Sequence, residues 1–312
     1  MNPLRWGDKP YHSLDYELKH QYGEKIYKIA LDAGMTCPNR DGSLDTRGCI
    51  FCSAGGSGDF ASPATSACGE YSIRQQLLEG LSYFHTKKTG NRFIAYFQSY
   101  TNTYAPTGRL RSLYTEALEE PDVVGISIAT RPDCLGDDVI ALLSSLKDSY
   151  PDKFIWVELG LQTMHEETAR FIRRGYPLST FEEALNRLHA ISVPVIVHVI
   201  LGLPHESKEM MIKPCNYLNP CHIDGIKLQL LHVLKNTDLA ALYEQKTFDI
   251  LSLEEYIDIV ITCLEVLSPD IVIHRVTGDG PKELLLAPAW SLNKRHVLNT
   301  LHQQLRLRDS WQ

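Results

Sequence analysis

Three cysteines near the N-terminus have the residue type and the spacing that cofactor chemistry requires. Eleven residues separate Cys37 from Cys49, and two residues separate Cys49 from Cys52. Three thiolates on one loop can each ligate one iron of a 4Fe-4S cluster, which leaves the fourth iron without a protein ligand and able to bind another molecule. The spacing therefore predicts a cluster loop with one open iron.

Two other interpretations of these cysteines remain open at this point. A structural zinc site needs four ligands, and Cys68 is a candidate for the fourth, across a glycine-rich segment at 55–58. Alternatively, the thiols are structural. Disulfide bonds are not favoured, because eight scattered cysteines without a secretory signal are typical of a reducing compartment.

Length, composition and charge limit the possible folds and partners of the chain. A chain of 312 residues fits one large domain or two small ones, and 44% hydrophobic with 22% charged residues is typical of a globular protein. The net charge of −7 predicts no bulk attraction to phosphate, so a nucleic-acid substrate would need a local basic patch. No apolar run has the length of a membrane span and no cationic leader precedes a cleavage site, so we expect a cytoplasmic protein without a membrane partner.

Strands and helices alternate along most of the chain. The predicted strands are 25–31, 92–98, 123–128, 154–162, 194–200, 225–230 and 271–276, and the predicted helices are 13–21, 70–89, 108–119, 137–148, 165–174, 179–190, 206–218 and 252–267. Apolar strands that alternate with helices are typical of a parallel sheet covered by helices. No G-x-G-x-x-G opens a helix, which disfavours a dinucleotide-binding sheet. We therefore expect an α/β fold that forms a barrel or a partial barrel.

Polar residues recur on the predicted strands or at their C-terminal ends, where barrel enzymes place their chemistry. They are Gln98 to Thr103, Thr130 to Asp133, Glu158, Gln162, His198, Lys227, Gln229, His274 and Arg275. A single His or Gln in a strand is more often a hydrogen-bonded core residue than a functional one. Lys227 carries more weight, because burying an ammonium group is costly unless the group is paired. Together with the cysteine loop, their recurrence favours a functional site.

These features resemble the radical S-adenosylmethionine (SAM) superfamily. The resemblance rests on the three-cysteine loop after the first strand, on Phe51 between the last two cysteines, and on the G-L-P segment at 202–204 after a barrel strand. The cysteine spacing is longer than the usual CxxxCxxC, as is typical of the branch that contains the elongator catalytic subunit. The resemblance implies a partial (β/α)6 TIM-like barrel of radical SAM type at 24–283, with an N-terminal extension at 1–23 and a basic helical extension at 284–312.

Further segments resemble that branch and, more closely, a bacterial group that contains YtqA, YhcC and MnmL-type proteins. They are the strings T-R-P-D at 130–133, V-E-L-G-L-Q at 157–162, D-G-I-K at 224–227, W-G-D-K at 6–9, L-D-A-G at 31–34 and C-P-N-R-D-G at 37–42. The resemblance implies conversion of a carboxymethylaminomethyl group on the wobble uridine of tRNA to an aminomethyl group. The chain departs from elongator in lacking an acetyltransferase domain, and a different stretch at 98–100 replaces the usual Gly-Gly-Glu.

The resemblance also implies a role for each site residue. The cluster ligands would be Cys37, Cys49 and Cys52. The adenine of SAM would contact Phe51, its amino group Gln98, Ser99 and Tyr100, its ribose or methionine part Glu158, and its carboxylate Arg173 or Arg174, with Gln162 also on the cofactor side. The substrate side would be lined by the catalytic set His198, Lys227, Gln229 and Arg275. Lys227 would then pair with an acidic group of the substrate.

The implied partners are a tRNA substrate and an electron donor, either a reductase or a flavodoxin or ferredoxin. The basic residues that could contact tRNA are Lys87, Lys88, Arg109, Arg111, Lys294, Arg295, His296, Arg306 and Arg308. Two other functions are open alternatives: radical SAM chemistry on a small metabolite or peptide, and a zinc-stabilised RNA-binding module without catalytic activity.

Overall fold

The computed structural model describes residues 6–56, 72–85 and 90–312. The strands of this part of the chain are β1 (Tyr27–Leu31), β2 (Phe93–Phe97), β3 (Val123–Thr130), β4 (Phe154–Gln162), β5 (Val195–Leu201), β6 (Gly225–Leu230), β7 (Val233–Leu234), β8 (Val272–Arg275) and β9 (Leu285–Ala287). Its α-helices are α1 (Leu14–Tyr22), α2 (Ile73–His85), α3 (Thr107–Leu118), α4 (Asp137–Ser149), α5 (Glu166–Phe171), α6 (Leu178–Ala190), α7 (Lys208–Leu218), α8 (Asp238–Glu244), α9 (Leu253–Val266) and α10 (Lys294–Leu307).

Seven parallel strands form one sheet in the order β1-β2-β3-β4-β5-β6-β8. The sheet is strongly curved: β1 and β4 are three strands apart, which is about 14 Å in a flat sheet, yet Nζ of Lys28 on β1 lies 2.8 Å from Oε1 of Glu158 on β4. The strand order follows the chain, as it does in a barrel. The predicted α/β fold, a partial TIM-like barrel, is confirmed.

The barrel is open between its two edge strands, β1 and β8, which do not pair with each other. Helix α1 lies next to this seam, because Ser13, its N-cap, forms a parallel bridge with Ile273 on β8 and the Ile273 N–H donates to the carbonyl of His12 at 2.7 Å. The Ser13 hydroxyl accepts a hydrogen bond from the N–H of Tyr16, which fixes the start of the helix. The N-terminal segment thus belongs to the wall of the barrel.

Burial explains why these segments form these elements. All eight residues of β3 and all five of β2 are buried, as expected for strands covered on both faces. The outer helices are amphipathic, and α6 buries Phe181, Ala184 and Leu188 at helical spacing while its polar residues face outward. The core therefore lies on both sides of the sheet, which leaves the C-terminal ends of the strands for polar groups.

The sequence analysis did not predict the small sheet of β7 and β9 or the helix α8. β7 and β9 pair in antiparallel fashion, and α8 is tied to the cysteine loop because the N–H of Leu239 donates to the carbonyl of Ile50 at 2.9 Å. Elements of two, three and seven residues are too short to show a periodic pattern of apolar residues. Cys68, Lys87 and Lys88 lie outside the described residues.

No helix among the described residues is both long enough and apolar enough to cross a membrane.

Gly125 on β3 provides a test of the close strand packing. A Cβ atom at this position would lie 2.4 Å from the carbonyl oxygen of Phe154 on the neighbouring strand. Because backbone cannot move as freely as a side chain tip, we expect Gly125→Ala to lower the free energy of unfolding by about 1–3 kcal/mol in urea denaturation.

Gly108 is the matched control, because a Cβ atom there meets no atom within 4 Å and the residue lies in the first turn of α3. Gly108→Ala should be neutral or should stabilise by up to about 1 kcal/mol. Equal effects of the two substitutions would contradict the described packing of β3 against β4.

Candidate functional site

A cavity of about 180 Å³ opens at the C-terminal ends of the strands, and the three thiols predicted to bind a cluster all line it. Of the other predicted site residues, ten also line this cavity: Phe51, Gln98, Tyr100, Glu158, Gln162, Arg174, His198, Lys227, Gln229 and Arg275. The cavity wall thus brings together residues from the cysteine loop and from β4, β5, β6 and β8. Ser99 and Arg173 do not line it.

Two side chains of the cysteine loop hold it in shape. Nη2 of Arg40 donates to the carbonyl oxygens of Cys52 at 3.0 Å and Ser53 at 2.6 Å, which ties the start of the loop to its end. The buried Asn39 donates through Nδ2 to the carbonyl of Arg173 at 2.7 Å and lies 3.5 Å from Sγ of Cys49. The loop is therefore anchored both to itself and to the segment after α5.

The three thiols fit a 4Fe-4S cluster as a donor set. No three His, Cys, Asp or Glu side chains in the described ranges meet closely enough to hold a single metal ion. A cubane takes one thiolate on each of three irons, so its ligands surround the cluster and do not converge on one ion. Nη1 of Arg131 lies 3.9 Å from Sγ of Cys37, and the contact of Asn39 with Cys49 adds a second N–H donor facing a sulfur.

Three residues predicted to contact the cofactor have an unusual backbone conformation. Tyr100, Gln162 and Arg173 have φ angles of 58°, 63° and 56°, in the left-handed region that side chains other than glycine adopt rarely. Gln162 ends β4, Tyr100 follows β2 and Arg173 follows α5. This conformation raises the free energy of the folded state at residues other than glycine, and it is found most often at functional sites.

Glu158 is the centre of the polar floor of the cavity. Its side chain is fully buried, and Oε1 accepts hydrogen bonds from Nζ of Lys28 at 2.8 Å and from Oγ of Ser127 at 2.7 Å. Oε2 accepts from Nε2 of His198 at 2.8 Å and from Nζ of Lys227. Four donors on four different strands therefore satisfy this one carboxylate.

The electrostatics of the floor follow from its burial and its charges. Burial alone would raise the pKa of Glu158, but the ammonium groups of Lys227 and Lys28 and the hydrogen bond from His198 hold it well below its usual range. Burial lowers the pKa of Lys227, although the attraction of Glu158 opposes this effect. Burial and the nearby Lys227 also lower the pKa of His198 to about 4, so the imidazole is neutral at pH 7.

These charge states define a chain of hydrogen bonds. An ionised Glu158 can only accept, so Nε2 of His198 carries the proton that faces it and Nδ1 is an acceptor. Nδ1 lies 3.0 Å from Nε2 of Gln229, which must donate. The amide orientation of Gln229 is thereby fixed, and its carbonyl oxygen is the atom left for contact with a bound molecule.

A second, larger cavity of about 750 Å³ lies along the seam between β1 and β8; we call it the seam cavity. It shares with the first cavity the residues Phe51, Cys52, Tyr96, Gln98, Ile200, Lys227, Gln229 and Arg275. The first cavity, which we call the cluster cavity, is thus adjacent to the seam cavity, and these residues border both.

Three residues with predicted ligand-binding roles have partners within the protein, and their roles toward a ligand stay predictions. Glu158 was expected to contact SAM, but all four acceptor positions of its buried carboxylate are occupied. Lys227 was expected to pair with an acidic group of the substrate, but it pairs with Glu158. The expectation that a buried Lys227 needs a partner is confirmed, and the partner belongs to the protein.

Arg174 is the third of these residues. It was a candidate for binding the SAM carboxylate, but its side chain is 1% exposed and all of its N–H groups face the carbonyls of Leu161, Thr163 and Tyr176 and the carboxylate of Glu166. No donor remains for a ligand. The other candidate, Arg173, forms an ion pair with Asp238.

Two residues of the site were missed by the sequence analysis. Lys28 and Tyr96 reach the polar floor, where the Tyr96 hydroxyl lies 3.1 Å from Nζ of Lys227. Arg131, one of the polar residues expected at the strand ends, is buried, bonds Asp133 and faces Cys37. Lys28 and Tyr96 could have been found by the reasoning applied to Lys227, because a Lys or Tyr between apolar residues of a strand needs a hydrogen-bond partner in the interior.

The basic residues expected to contact tRNA divide into two groups. Four are engaged: Arg109 donates to the carbonyls of Ala33 and Gly34, Arg111 lies within hydrogen-bond distance of Ser145, Lys294 pairs with Asp279, and Arg308 pairs with Asp258. Arg295, His296 and Arg306 are exposed on α10. Their role in binding RNA stays a prediction.

The chain resembles known proteins over nearly all of its length. The chain matches the family model described as the Radical SAM superfamily over residues 46–217, and that of the Radical_SAM C-terminal domain over residues 223–306. It is 43% identical to YtqA of Bacillus subtilis over 313 residues, covering 100% of this chain and 95% of YtqA. It is 34% identical to YhcC of Escherichia coli over 278 residues, covering 89% of this chain and 86% of YhcC.

Elongator complex protein 3 is a more distant relative. The protein from Schizosaccharomyces pombe is 24% identical over 331 residues, and the match covers 90% of this chain and 59% of that protein. The solved structure of the archaeal Methanocaldococcus infernus Elp3 superposes with a TM-score of 0.67 at 15% identity, covering 91% of this chain and 63% of that one. The superposition shows that the two chains share a fold.

The importance of Glu158 can be tested by Glu158→Gln. The amide cannot balance the ammonium charges of Lys28 and Lys227, so the substitution leaves buried charge uncompensated. We expect a loss of about 3–5 kcal/mol in the free energy of unfolding by urea denaturation. Adding Lys227→Met to Glu158→Gln should recover part of this loss, because the two side chains interact directly.

The control for this prediction is an exposed ion pair. Lys19 and Asp15 on α1 pair at 2.9 Å with side chains 52% and 37% exposed. Asp15→Asn should cost less than about 1 kcal/mol. A loss in Glu158→Gln no larger than that of the control would show that the buried network does not stabilise the barrel.

Proposed function

Because this chain belongs to the radical SAM superfamily, whose enzymes use a 4Fe-4S cluster and SAM, we propose that it modifies the wobble uridine of tRNA. The proposed reaction converts carboxymethylaminomethyluridine, or its 2-thio form, to the corresponding aminomethyluridine. The observation that carries this proposal is the pair of adjacent cavities, one bounded by three thiols and one of about 750 Å³ with a cationic lining. The distant relationship to Elongator complex protein 3 supports an RNA substrate.

Cys37, Cys49 and Cys52 are the proposed ligands of the cluster. When bound, the cluster and SAM supply a 5′-deoxyadenosyl radical that abstracts a hydrogen atom. Phe51, Gln98, Tyr100 and Gln162 line the cluster cavity and would hold SAM there. The zinc-stabilised RNA-binding module is not supported, since the chain belongs to a family of enzymes.

The protein's own contribution is to position the substrate and to exclude water. Ile172 and Ile200 are buried and line the cluster cavity, so they would limit the access of water to a reactive carbon radical there. The side chains of the polar floor already form hydrogen bonds with one another, so few unpaired donors or acceptors lie next to the reacting atoms. Gln229 presents a carbonyl oxygen that can orient a donor on the substrate.

The proposed electron donor is a reductase, or a flavodoxin or ferredoxin. For tRNA, the exposed Arg295 and Arg306 on α10 are the best candidates for phosphate contacts. The helix lies beside the seam cavity, since Lys294 in its first turn and the preceding Leu292 line that cavity. A nucleotide held on α10 could therefore place its neighbour at the seam.

Iron binding tests the ligand assignment. We expect Cys49→Ala to lose the absorption near about 400 nm that anaerobic reconstitution gives a 4Fe-4S protein, and to lose most of its iron and sulfide by chemical analysis. Cys221→Ala is the control, because Cys221 lies away from the cavity and bonds only the carbonyl of Tyr217 among the described residues. Full iron content in Cys49→Ala, or stoichiometric zinc in the wild-type protein, would reject the assignment.

Nucleoside analysis tests the reaction itself. In tRNA from cells that lack this protein, we expect carboxymethylaminomethyluridine to accumulate and aminomethyluridine to decrease. Expression of the Cys221→Ala variant should restore the wild-type pattern, whereas Cys49→Ala should not, because it would lack the cluster.

A second measurement separates tRNA from other substrates. Formation of 5′-deoxyadenosine by the reconstituted protein should increase when tRNA that carries carboxymethylaminomethyluridine is added. An unchanged wobble nucleoside in the deletion strain, together with no stimulation by this tRNA, would favour a small metabolite or peptide as the substrate.

A further inference from the structure

Arg275 occupies the junction of the two cavities and has unused hydrogen-bonding capacity. It lies on the edge strand β8 next to Lys227 and lines both the cluster cavity and the seam cavity. Its side chain is 31% exposed and donates no hydrogen bond to another described residue. The nearest carboxylate is that of Asp279, with 4.0 Å between Nη2 and Oδ2. Asp279 is itself held by Nζ of Lys294 at 2.6 Å.

The seam cavity has an excess of positive charge in a chain whose net charge is −7. Its charged lining consists of Lys28, Lys227, Arg275, Lys282 and Lys294 against the single carboxylate of Asp279. The two histidines of the lining add no further positive charge, because burial lowers the pKa of His232 to about 4 and that of His274 well below its usual range. Glu158, behind the lining, accounts for one more negative charge. The cavity is therefore electrostatically complementary to an anion.

Most of these cations already have partners. Lys28 and Lys227 are bonded to Glu158, and Lys294 is bonded to Asp279. Lys282 is exposed on the segment before β9, away from the cluster cavity. Arg275 is thus the cation that both borders the cluster cavity and keeps its donors available. Its planar fork matches a carboxylate through two parallel hydrogen bonds.

We propose that Arg275 binds the carboxylate of the substrate's carboxymethyl substituent and thereby places the adjacent carbon at the opening of the cluster cavity. This inference rests on the proposed function, because it assumes a substrate with that substituent. It assigns to Arg275 the charge recognition that the sequence analysis expected of Lys227. It also makes the carboxylate a requirement for binding, since a neutral substituent would leave the guanidinium without a charged partner.

The test compares two anticodon stem-loop RNAs that differ in one group. One carries carboxymethylaminomethyluridine and the other carries the corresponding amide, so their backbone phosphates are identical. Their affinities are measured with the anaerobically reconstituted protein and SAM, without a reductant, for the wild type, Arg275→Met, Arg275→Lys and the cavity-edge control Lys282→Met. Iron content and melting temperature confirm that each variant is folded and loaded.

We expect the wild type to prefer the carboxylate RNA, and Arg275→Met to lose about 10- to 100-fold in affinity for it with little change for the amide RNA. Arg275→Lys should fall between, because it keeps the charge and loses the fork. Lys282→Met should keep the preference.

Four results would overturn the inference. An equal loss on both RNAs would show that Arg275 binds a backbone phosphate, and a loss of SAM affinity in Arg275→Met would show that it binds the cofactor. An unchanged preference in Arg275→Met would show that another group reads the carboxylate, while the proposed function would stand. A wild-type protein that binds both RNAs equally, and whose SAM cleavage neither stimulates, would reject the proposed function as well.

Discussion

The carboxylate of Glu158 links five strands of a sheet that is not closed. It accepts from Lys28 on β1, Ser127 on β3, His198 on β5 and Lys227 on β6, while its own backbone belongs to β4. A closed barrel holds its curvature by pairing its first and last strands, but here β1 and β8 are not paired. The side-chain network across the interior takes over part of this function. Each buried ion costs several kcal/mol to desolvate, so the network is favourable only when every partner is in place.

This constraint determines the form of the two cavities. Because the network occupies the interior below the C-terminal ends of the strands, bound molecules can enter only above it or through the seam. The cluster cavity lies above the floor, beside the three thiols, and the seam cavity runs along the unpaired edges. The same opening that leaves the barrel incomplete thus provides room for a large substrate next to the cofactor.

The anchoring of the cysteine loop is a second consequence of the fold. Asn39 bonds the carbonyl of Arg173, and the N–H of Leu239 bonds the carbonyl of Ile50, so the segment after α5 and the helix α8 both support the loop. Arg174 joins the end of β4 to the segment before α6 by donating to the backbone carbonyls of Leu161, Thr163 and Tyr176. The cationic side chains at this edge are therefore of two kinds. Most stabilise the site itself, and among the described residues Arg275 is the one that remains available to a ligand.

Much of this protein could be read from its sequence, because the relevant signals are local. The spacing of the cysteines, the alternation of apolar strands with amphipathic helices, and the short strings shared with YtqA, YhcC and the elongator subunit all lie within segments of a few to about twenty residues. They predicted the α/β partial barrel, the bounds of most elements to within a few residues, and membership of the superfamily, all of which are confirmed. The short elements β7, α8 and β9 escaped because they carry no periodic signal.

Only the tertiary structure showed which charged side chains pair with each other. The sequence showed that a buried Lys227 requires a partner, but it could not show that the partner is Glu158, 69 residues away, or that Lys28 shares it. A strand pattern specifies which residues face inward, and only the curvature and register of the whole sheet decide which of them meet. For that reason the sequence determined the kind of chemistry this chain can support, and the folded barrel decided which side chains are consumed in building the site and which remain for the substrate.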